Sequence, residues 1–519
     1  MKVIASSQTC HYFTEVGIFL IMIALVVALT GCGEGEGGDD HYDLTIVSTV
    51  GGSVIEPGEG TFGYDAGTTV TIVAEPDEHY HFASWTGDVD TIGNITAAAT
   101  SIIIYDSCYS VTANFELNPG WCSLTVSSGG GSVTTPGEGV FVYAVNTTVD
   151  LVAESNEGYP FLKWAGDIDT IADIRATVTN VTMYDSYSIT AQFGVEVWDW
   201  HDLNAIRDNP DSRYYLMNDL DSAAAGYDEL AGPTANDGKG WQPTGRYAFN
   251  DTCVGILDGQ GYEICDLFIN RPSEDLVALF GYVGCGAAIK NIGVVNADVI
   301  GDYDVAGLVG ENWGTVSHCY FTGSVTGNDS VGGAVGYNFG IVTNSYSTSI
   351  VTGAEGCAGG LVGANEGNVI YSYSTGSVAG TNAVGGLVGA DWYGGVTACY
   401  ATGSVTGTEF VGGLVGIIQG SYVTDSYSSG TVTGEEDAGG LVGHRWETAM
   451  SNSFWDIQTS GQATSDGGIG KTTVKMQDIT TFTGATWNIV AVANPDTRNT
   501  SYIWNIVDAV TYPFLSWQS

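Results

Sequence analysis

Apolar residues recur along the C-terminal half of the chain in short runs that glycine-rich polar stretches separate. Copies of the tetrapeptide GLVG, with GAVG as one variant, begin at Gly307, Gly333, Gly360, Gly386, Gly413 and Gly440. The repeat period is therefore about 26–27 residues, which is in the range of solenoid proteins. A fixed period of this length is typical of a solenoid, because one repeat cannot bury its own apolar face and needs a neighbour to cover it.

Each repeat contains three apolar pieces: the GLVG piece, a piece that ends in a Ser-Tyr or Cys-Tyr pair, and a piece that reads GSVTG or a close variant. Glycine turns separate these pieces and leave each of them too short for a helix. The pattern predicts three short strands that form one triangular coil of a right-handed parallel β-helix. Neighbouring coils then stack at the strand spacing of about 4.8 Å.

Stacking turns each repeat position into a column of side chains. We expect an apolar column that consists of Leu308, Ala334, Leu361, Leu387, Leu414 and Leu441. We expect an aromatic column that consists of Tyr320, Tyr346, Tyr373, Tyr400, Tyr427 and Phe454. Stacked amides hydrogen-bond to one another along such a structure, and a third column contains Asn312, Asn338, Asn365 and Asp391.

Two cysteines fall in a column of serines. Cys319 and Cys399 share their repeat position with Ser345, Ser372 and Ser426. The two cysteines are three coils apart, which is about 14 Å at the strand spacing. A disulfide needs Cα atoms within about 7 Å, so these two cysteines cannot bridge.

The N-terminal half of the chain has a different pattern, in which apolar and polar residues alternate. Residues 43–117 and 118–195 match each other along their length, so that SWTGDVDTI around Trp85 returns as KWAGDIDTI around Trp164. Alternation between Pro-Gly turns predicts half-buried strands. Each copy is therefore expected to be a small all-β module with its tryptophan in the core.

These landmarks make both modules similar to the divergent internalin B-repeat family. The resemblance covers nearly all of both segments. It implies extracellular, β-grasp-like modules that act as spacers or binding modules, and it brings no catalytic residues.

The repeats of residues 278–455 resemble the GLUG motif, which is named for its Gly-Leu-Val-Gly-like core. The resemblance implies a bacterial surface protein of the adhesin type, although the motif also occurs in the non-catalytic parts of IgA-specific metallopeptidases. Residues 196–277 begin with a predicted short helix and a strand, and they resemble the N-terminal cap of β-helical surface proteins. Residues 456–519 resemble the C-terminal cap of such solenoids.

The N-terminus carries a targeting signal. Residues 17–29 form a 13-residue apolar run, which is shorter than a membrane-spanning helix of about 20 residues and fits the core of a signal peptide. The run ends in LTGC, which resembles the bacterial lipobox and implies that residues 1–31 are a lipoprotein signal peptide and that Cys32 is lipidated. Residues 32–42 are then an acidic, glycine-rich tether. The alternative is a transmembrane anchor with an accidental cysteine.

The negative charge of the chain and its few basic residues argue against nucleic-acid binding and lyase chemistry. The chain has 13 basic and 59 acidic residues, which gives a formal net charge of -46. A surface this negative repels phosphate backbones, so nucleic acid is not an expected partner. Between Lys290 and Arg445 the chain has no lysine or arginine. Polysaccharide lyases need a basic residue, so lyase chemistry on the solenoid is not expected.

The chain has ten cysteines. Cys108 and Cys122 flank the junction between the two modules, and Cys253 and Cys265 flank an apparent turn, so either pair could form a disulfide. Apart from Cys32 and the cysteine of the signal segment, we expect the remaining cysteines to be small buried residues.

Acidic residues occupy one predicted turn in successive repeats, at Asp302, Asp304, Asp329, Glu355, Glu409, Glu435, Glu436 and Asp437. Hard cations favour stacked oxygen ligands, so this acidic column is a candidate calcium site. The alternative is a solvated acidic face. Glycosidases need two carboxyl groups about 5–10 Å apart, whereas these acids are spread along the length of the solenoid. No cofactor is required by this interpretation, and calcium is the candidate metal.

Another column lies three residues after each GLVG piece. It contains Trp313, Phe339, Trp392 and Trp446, and the other two repeats have Glu366 and Gln419 there. Aromatic rings that recur along one corner can form a ladder on which sugar rings or a protein partner stack. These four residues are therefore the candidate ligand-binding residues. The alternative is that each ring packs on the edge of its own coil.

Together, these features predict a lipid-anchored protein of the cell envelope that faces the exterior. Its expected partners are an extracellular glycan, the matrix, another cell or a surface protein, and it contacts the membrane through the lipid anchor. We expect it not to be an enzyme. Two alternatives are a carbohydrate-active or peptidase-associated β-helix enzyme and a purely structural envelope protein.

Overall fold

The alternating pattern of the N-terminal region and the periodic pattern of the C-terminal region form two different kinds of β structure. The computed structural model describes residues 41–105, 107–156, 159–245, 255–446 and 449–518. These residues divide into one unit that ends at Phe193 and another that begins at Gly194. The structure is all-β in class, as predicted from the sequence. The predicted signal peptide, Cys32 and most of the tether lie outside the described residues.

Each N-terminal module contains two sheets. In the first module, a four-stranded sheet has the order Gly60–Asp65, His41–Ser48, Tyr109–Leu117 and Tyr80–Gly87. The three-stranded sheet has the order Gly52–Glu56, Thr69–Pro76 and Ala99–Ile103. The second module repeats the larger sheet with Gly139–Ala144, Trp121–Gly129, Tyr187–Phe193 and Phe161–Gly166. Its smaller sheet contains Gly131–Thr135, Thr148–Ser155 and Val178–Thr182.

The two sheets of a module enclose one core between them. In the first module, Ile46 of the larger sheet and Ile72 of the smaller sheet belong to the same buried cluster. Trp85 is buried there, and its indole Nε1 donates to the carbonyl oxygen of Ala97 at 3.0 Å. Trp164 is the buried equivalent in the second module. The predicted core positions of both tryptophans are confirmed, and the modules are sandwich-like where the family resemblance implied a grasp-like sheet.

The second unit begins with the predicted helix and strand. A helix spans Trp200–Ala205, and Asp199 caps it by accepting hydrogen bonds from the backbone N–H groups of His201 and Asp202. A 3-10 turn, Ile206–Asp208, and a strand, Arg213–Leu216, follow. Two further short helical segments of this cap are Tyr227–Leu230 and Ala235–Gly238.

Parallel pairing between successive coils builds four long sheets from the described residues. Sheet 1 contains Val195–Val197, Arg213–Leu216, Ile256–Asp258, Ala288–Lys290, Thr315–Ser317, Ile341–Thr343, Asn368–Ile370, Gly395–Thr397, Tyr422–Thr424 and Ala449–Ser451. Sheet 2 contains Glu263–Cys265, Phe268–Asn270, Gly293–Ile300, Tyr320–Gly327, Tyr346–Ser347, Ile350–Gly353, Tyr373–Ser374, Val378–Ala379, Tyr400–Ala401, Val405–Thr406, Tyr427–Ser428, Val432–Thr433, Phe454–Asp456 and Ile469–Lys471.

Sheets 3 and 4 complete each coil. Sheet 3 contains Phe280–Val283, Val309–Asn312, Val335–Asn338, Val362–Asn365, Val388–Trp392, Val415–Gln419 and Val442–Trp446. Sheet 4 contains Tyr303–Ala306, Asp329–Gly332, Ala358–Gly359, Asn382–Gly385, Glu409–Gly412 and Glu436–Gly439. The predicted parallel β-helix is confirmed, and each repeat of the sequence forms one of its coils.

The prediction of a triangular coil is wrong, because sheet 4 adds a further strand to each coil. The segment before each GLVG piece, which the sequence interpretation treats as a turn, is itself a strand. The chain then bends at a glycine pair, as at Gly359 and Gly360, before it enters sheet 3. A Cβ atom at Gly359 would lie 1.9 Å from the carbonyl oxygen of Val362, so glycine permits the sharp corner that separates the two sheets.

The predicted apolar and amide columns are both confirmed in the core. All six members of the leucine column are fully buried. In the amide column, Asn312 Nδ2 donates to Asn338 Oδ1 at 2.7 Å, and Asn338 Nδ2 donates to Asn365 Oδ1 at 2.7 Å. Asn365 Nδ2 donates to Asp391 Oδ1 at 2.6 Å and ends the series. Each buried amide is therefore satisfied by the next coil.

The column of serines and cysteines is a second polar ladder. The backbone N–H of Cys319 donates to Ser345 Oγ at 3.1 Å, and the N–H of Ser372 donates to Cys399 Sγ at 3.4 Å. Burial raises the pKa of both thiols to about 12. The two cysteines are free, as predicted, and they are protonated and enclosed.

Other cysteines depart from the sequence interpretation. Cys122 and Cys265 are free thiols, so neither candidate pair forms, and Cys253 lies outside the described residues. Cys122 is buried on its strand, and its thiol contacts the carbonyl oxygen of Tyr143 at 3.5 Å within its own module. Cys108 and Cys285 are each disulfide-bonded. Cys285 is therefore a bridged cysteine, whereas the sequence interpretation treats it as a small buried residue.

The tyrosine column forms on the outer face of sheet 2. Adjacent residues of a strand point to opposite faces, and the neighbouring Ser347 and Ser374 are buried in the core. Successive ring centroids lie 4.8–5.1 Å apart, and the ring planes differ by at most 6°, along Tyr320, Tyr346, Tyr373, Tyr400 and Tyr427.

The C-terminal cap covers much of this column. It consists of Thr473–Met476, Ile479–Thr483, Ile489–Ala491, Trp504–Ile506 and Phe514–Leu515. Tyr427 donates from its hydroxyl to the carbonyl oxygen of Pro513 at 2.7 Å, and the ring of Trp517 lies 5.8 Å from that of Tyr373. The cap thus contacts coils far from its own position in the sequence.

Candidate functional site

The four candidate aromatic residues lie along one edge of sheet 3. Trp392 and Trp446 are the last residues of their strands, and Gln419 pairs with both of them in register. Trp313 and Phe339 directly follow the strands that end at Asn312 and Asn338. We call this row the aromatic edge, and it contains Trp313, Phe339, Glu366, Trp392, Gln419 and Trp446.

The N-terminal rings of the aromatic edge pack on each other. The ring centroids of Trp313 and Phe339 lie 4.3 Å apart, and Tyr337 stacks on Phe339 at 4.2 Å. Trp313 Nε1 donates to Glu311 Oε1 at 2.5 Å, and the Tyr337 hydroxyl donates to Glu366 Oε1 at 2.6 Å. These rings form a stack that carboxylates hold in place.

Trp392, in the middle of the aromatic edge, also packs against the protein. It lies against a small buried cluster on the outer surface of the coils, which consists of Cys357, Ala383, Ala390 and Ile417. Its ring is tilted against that of Tyr337 at 6.2 Å. Much of the Trp392 side chain is therefore used for packing, which is the alternative that the sequence left open for this column.

The C-terminal end of the aromatic edge is open to solvent. Trp446 is 45% exposed, and Tyr393, which follows Trp392, is 71% exposed. Together with Gln419 and Gly420, these two rings line a surface depression of about 490 Å³. The structure thus separates the candidate residues into a packed N-terminal group and an exposed C-terminal one.

Sequence reasoning missed Tyr393, although the spacing contains a signal for it. Asn365 pairs with Asp391, whereas Asn368 pairs with Gly395, so the later coil has one more residue between these two positions than the earlier coil. One residue is therefore inserted at this corner. The inserted Tyr393 has a φ of 61° and its backbone N–H donates to the carbonyl oxygen of Gln419 at 2.9 Å.

The outer faces of sheets 3 and 4 meet in a packed seam beside the aromatic edge. His444 of sheet 3 contacts Asp437 of sheet 4, with Nδ1 and Oδ2 3.1 Å apart. The ring of His444 also lies 5.1 Å from that of Phe410 in sheet 4 and 4.6 Å from that of Trp446. Side chains of the two sheets therefore pack together along the seam, and the aromatic edge lies beside it.

Asp304 of sheet 4 and Glu311 of sheet 3 lie at the opposite end of this seam. Burial raises the pKa of Asp304 to about 7, and the neighbouring charge of Glu311 contributes in the same direction. Burial also raises the pKa of Glu311, and the hydrogen bond from Trp313 opposes that shift. The two carboxyl groups therefore hold a proton more firmly than exposed acids do.

The other acidic candidates have separate contacts. Asp329 accepts from the backbone N–H of Cys357 at 2.9 Å, and Asp302 accepts from the side chain of Asn328. Glu409 and Glu436 face each other in register, and the exposed acids are Glu355, Glu435, Glu436 and Asp437. In the part of the chain that the structure describes, no three His, Cys, Asp or Glu side chains are placed to hold one metal ion. The candidate calcium site along the acidic column stays a prediction.

Membrane contact was predicted through Cys32, which lies outside the described residues. Among the helices that the structure describes, none is long and apolar enough to cross a bilayer.

Comparison with known families identifies both repeat types. Residues 42–119 and 122–196 match the divergent InlB B-repeat domain, and residues 301–326 match the GLUG motif. The GLUG match covers one coil of the periodic series.

Two proteins are similar in sequence to part of this chain. Halomucin from Haloquadratum walsbyi is 30% identical over 257 residues, which is 46% of this chain and 3% of halomucin. The “Putative Gly-rich membrane protein” from Evansella cellulosilytica is 30% identical over 113 residues, which is 20% of this chain and 11% of that protein. The chain therefore spans a small part of the length of both relatives.

Two solved structures show weak similarity in shape. One is described as a “putative immunoglobulin A1 protease” from Bacteroides ovatus, with a TM-score of 0.39 and 18% identity over 63% of this chain and 93% of that one. The other is an IgA1 protease with a TM-score of 0.29 and 13% identity over 63% of this chain and 25% of that one. Neither similarity is high enough to carry an argument about function. The chain combines two divergent InlB B-repeat domains with a parallel β-helix that carries the GLUG motif.

Proposed function

We propose that this protein is an adhesin-like surface protein that binds an extracellular glycan, the matrix or another cell along the aromatic edge of its β-helix. The similarity to halomucin and to a Gly-rich membrane protein, together with the repeat domains, fits a protein of the cell surface. Binding through the aromatic edge goes beyond those similarities and rests on the geometry of the coils.

The observation that carries the proposal is the exposed pair of rings at Tyr393 and Trp446. Large aromatic side chains expose apolar surface at a cost, so an exposed pair around a depression marks a binding surface. Trp446 belongs to a strand and Tyr393 directly follows one, and both strands pair in register with neighbouring coils. A ligand that binds to such a rigid row orders few protein side chains, so several weak contacts can add to a useful affinity.

Binding is tested with the chain that begins at Asp43, on a glycan array and on whole cells. The proposal expects saturable binding that is lost in the double variant Tyr393→Ala with Trp446→Ala. A variant that melts normally and still binds would move the ligand site elsewhere, and the N-terminal modules would be the next candidates. If the unaltered chain binds neither glycans, matrix nor cells, a purely structural envelope protein is favoured.

We further propose that Cys32 carries a lipid that holds the protein on the exterior of the cell. The support is the apolar run that ends in LTGC. Metabolic labelling with palmitate is expected to be lost in Cys32→Ser, and the unprocessed precursor is expected to accumulate. Equal labelling of the variant and the unaltered protein would refute lipidation at this cysteine.

In this proposal the protein is not an enzyme. One observation favours the alternative of a carbohydrate-active enzyme: burial raises the pKa of Asp304 to about 7 and also raises the pKa of Glu311, which bonds to Trp313 beside the stacked ring of Phe339. A glycosidase needs such an acid and a second carboxylate on opposite sides of the scissile bond. Release of reducing ends from array-positive glycans that is abolished by Asp304→Asn with Glu311→Gln would establish this alternative.

A further inference from the structure

We infer that the depression between Tyr393 and Trp446 is a subsite for a sugar unit of an uncharged glycan. The inference rests on the proposed function, and it assigns both a place and a ligand class to that function. Tyr393 and Gly420 are not members of the column that the sequence pattern defines, and Gln419 is one of its two non-aromatic members.

The two rings frame the site at a distance that suits a chain ligand. Tyr393 and Trp446 belong to coils two rungs apart, which corresponds to about 10 Å along the β-helix axis. The C–H faces of a pyranose ring are apolar, so they stack on exposed aromatic rings as other apolar groups do. Each ring offers this kind of surface, since they are 71% and 45% exposed.

Gln419 adds a polar group between the rings. It lies in register between Trp392 and Trp446, and it lines the depression together with Gly420. A carboxamide has two donor hydrogens and an acceptor oxygen, so it can bind vicinal hydroxyl groups, which also donate and accept. The depression thus combines the two contacts that sugars need, an apolar platform and a neutral hydrogen-bonding group.

Gly420 lets the Tyr393 ring take its place beside the depression. It occupies the same corner as Tyr393 one coil later, and its φ of 64° matches the 61° of Tyr393. A Cβ atom at Gly420 would lie 2.8 Å from the Tyr393 ring. A side chain there would therefore displace the ring from its position at the depression.

The charges around the site select the class of glycan. The nearest cation in the sequence, Arg445, is engaged by Asp466, which accepts from the Arg445 backbone N–H at 2.8 Å and lies 3.8 Å from its Nε. Arg445 is the one lysine or arginine between Lys290 and Lys471 in the sequence, and Asp437 lies on the strand that precedes the strand of Trp446. A uronate or sulfate would be repelled by Asp437 and Asp466, and Arg445 is already engaged, so the ligand is an uncharged sugar chain.

Calorimetric titration tests the subsite with defined probes. The neutral probes are hexasaccharides of β-1,4-linked glucose, mannose and xylose, and the anionic probe is a hexamer of galacturonate. We expect at least one neutral hexasaccharide to bind, and we expect Tyr393→Ala and Gln419→Ala each to weaken that binding about tenfold. The galacturonate hexamer should bind at least tenfold more weakly than the neutral probe.

Control variants separate a lost contact from a lost fold. Tyr422 is 43% exposed on sheet 1 and does not line the depression, so Tyr422→Ala removes an exposed ring from outside the site and should leave binding unchanged. Tyr393→Phe keeps the stacking ring and should bind like the unaltered protein. Melting curves of Tyr393→Ala and Gln419→Ala should overlay that of the unaltered chain.

The outcomes distinguish the subsite from the proposed function. If the array or cells are bound but Tyr393→Ala and Gln419→Ala bind as tightly as the unaltered chain, the subsite is refuted and the adhesin proposal stands. Tighter binding of galacturonate than of every neutral hexasaccharide would refute the assigned ligand class. If the unaltered chain binds no glycan, matrix or cell, both proposals fail together.

Discussion

The two units of this protein are built from similar short strands, but they bury their apolar side chains in different ways. Each N-terminal module closes a core of its own, centred on Trp85 or Trp164. In the β-helix, one continuous buried cluster extends from Val197 to Trp455. A module is therefore a complete folding unit, whereas a coil is stable only between its neighbours.

The tryptophans show the functional side of the same difference. Trp85 and Trp164 lie inside their modules, where each indole N–H donates to a backbone carbonyl. Trp446 ends a strand at the edge of a sheet and is 45% exposed. A β-helix has an outer surface along its whole length, so it can present rings in a row without opening its core.

The largest expected effect tests the continuous core. Leu387→Asp places a carboxylate in the fully buried apolar column and should lower the free energy of unfolding by about 5 kcal/mol or more. Thr408→Asp introduces the same group at an exposed position one coil later and should change stability by less than about 0.5 kcal/mol. Denaturant melts of the two variants check this, and equal destabilisation would refute the column assignment.

The next effect tests the closed core of a module. Trp164→Ala removes a fully buried ring and a hydrogen bond to Ala176, and it should cost about 3–5 kcal/mol. Because the module core is separate from that of the β-helix, hydrogen exchange in the coils should stay as slow as in the unaltered protein. Faster exchange throughout the β-helix would show that the two regions depend on each other.

A pH-dependent effect tests the end of the amide ladder. Burial raises the pKa of Asp391 to about 7, above its ordinary value of 3.8, while hydrogen bonds from Ser421 and Asn365 act in the opposite direction. The folded state therefore binds this proton more tightly than the unfolded state, and the stability it contributes is present at low pH and lost as the pH rises toward 7.

Asp391→Asn removes this titration while keeping a side chain that can accept from Asn365. The variant should be more stable than the unaltered protein by about 2–4 kcal/mol at pH 8 and similar to it at pH 4. Urea melts at the two pH values measure the difference. Glu355→Gln at an exposed position serves as the control, and an Asp391→Asn effect that is equal at both pH values would contradict the shifted pKa.

The smallest effect concerns the acidic column. Its described members do not converge on a common point, so millimolar calcium should raise the melting temperature no more than sodium does at the same ionic strength. Calorimetric melting with calcium, with chelator and with matched sodium chloride makes the comparison. A rise in melting temperature that only calcium produces would support the calcium site that the sequence predicts.

The sequence predicted the structure best where neighbouring repeats have the same kind of residue at equivalent positions. The columns headed by Leu308, Asn312 and Tyr320 were predicted from spacing, because parallel strands in register place equivalent residues one above another. It failed where the chain departs from the repeat. The inserted Tyr393 and the strand of sheet 4 at Asn382–Gly385 depend on corners whose geometry no column of identical residues reveals.

The sequence by itself determined the all-β class, the two modules, the period of the coils and the residues that share a column, because these follow from local alternation and a repeated register. The tertiary structure decided which columns face the core, which are covered by the C-terminal cap, and which side chains of sheets 3 and 4 pack against each other. Those outcomes depend on the angles between sheets and on contacts between residues such as Tyr371 and Trp517, 146 positions apart. A short sequence pattern contains no information about such distant partners.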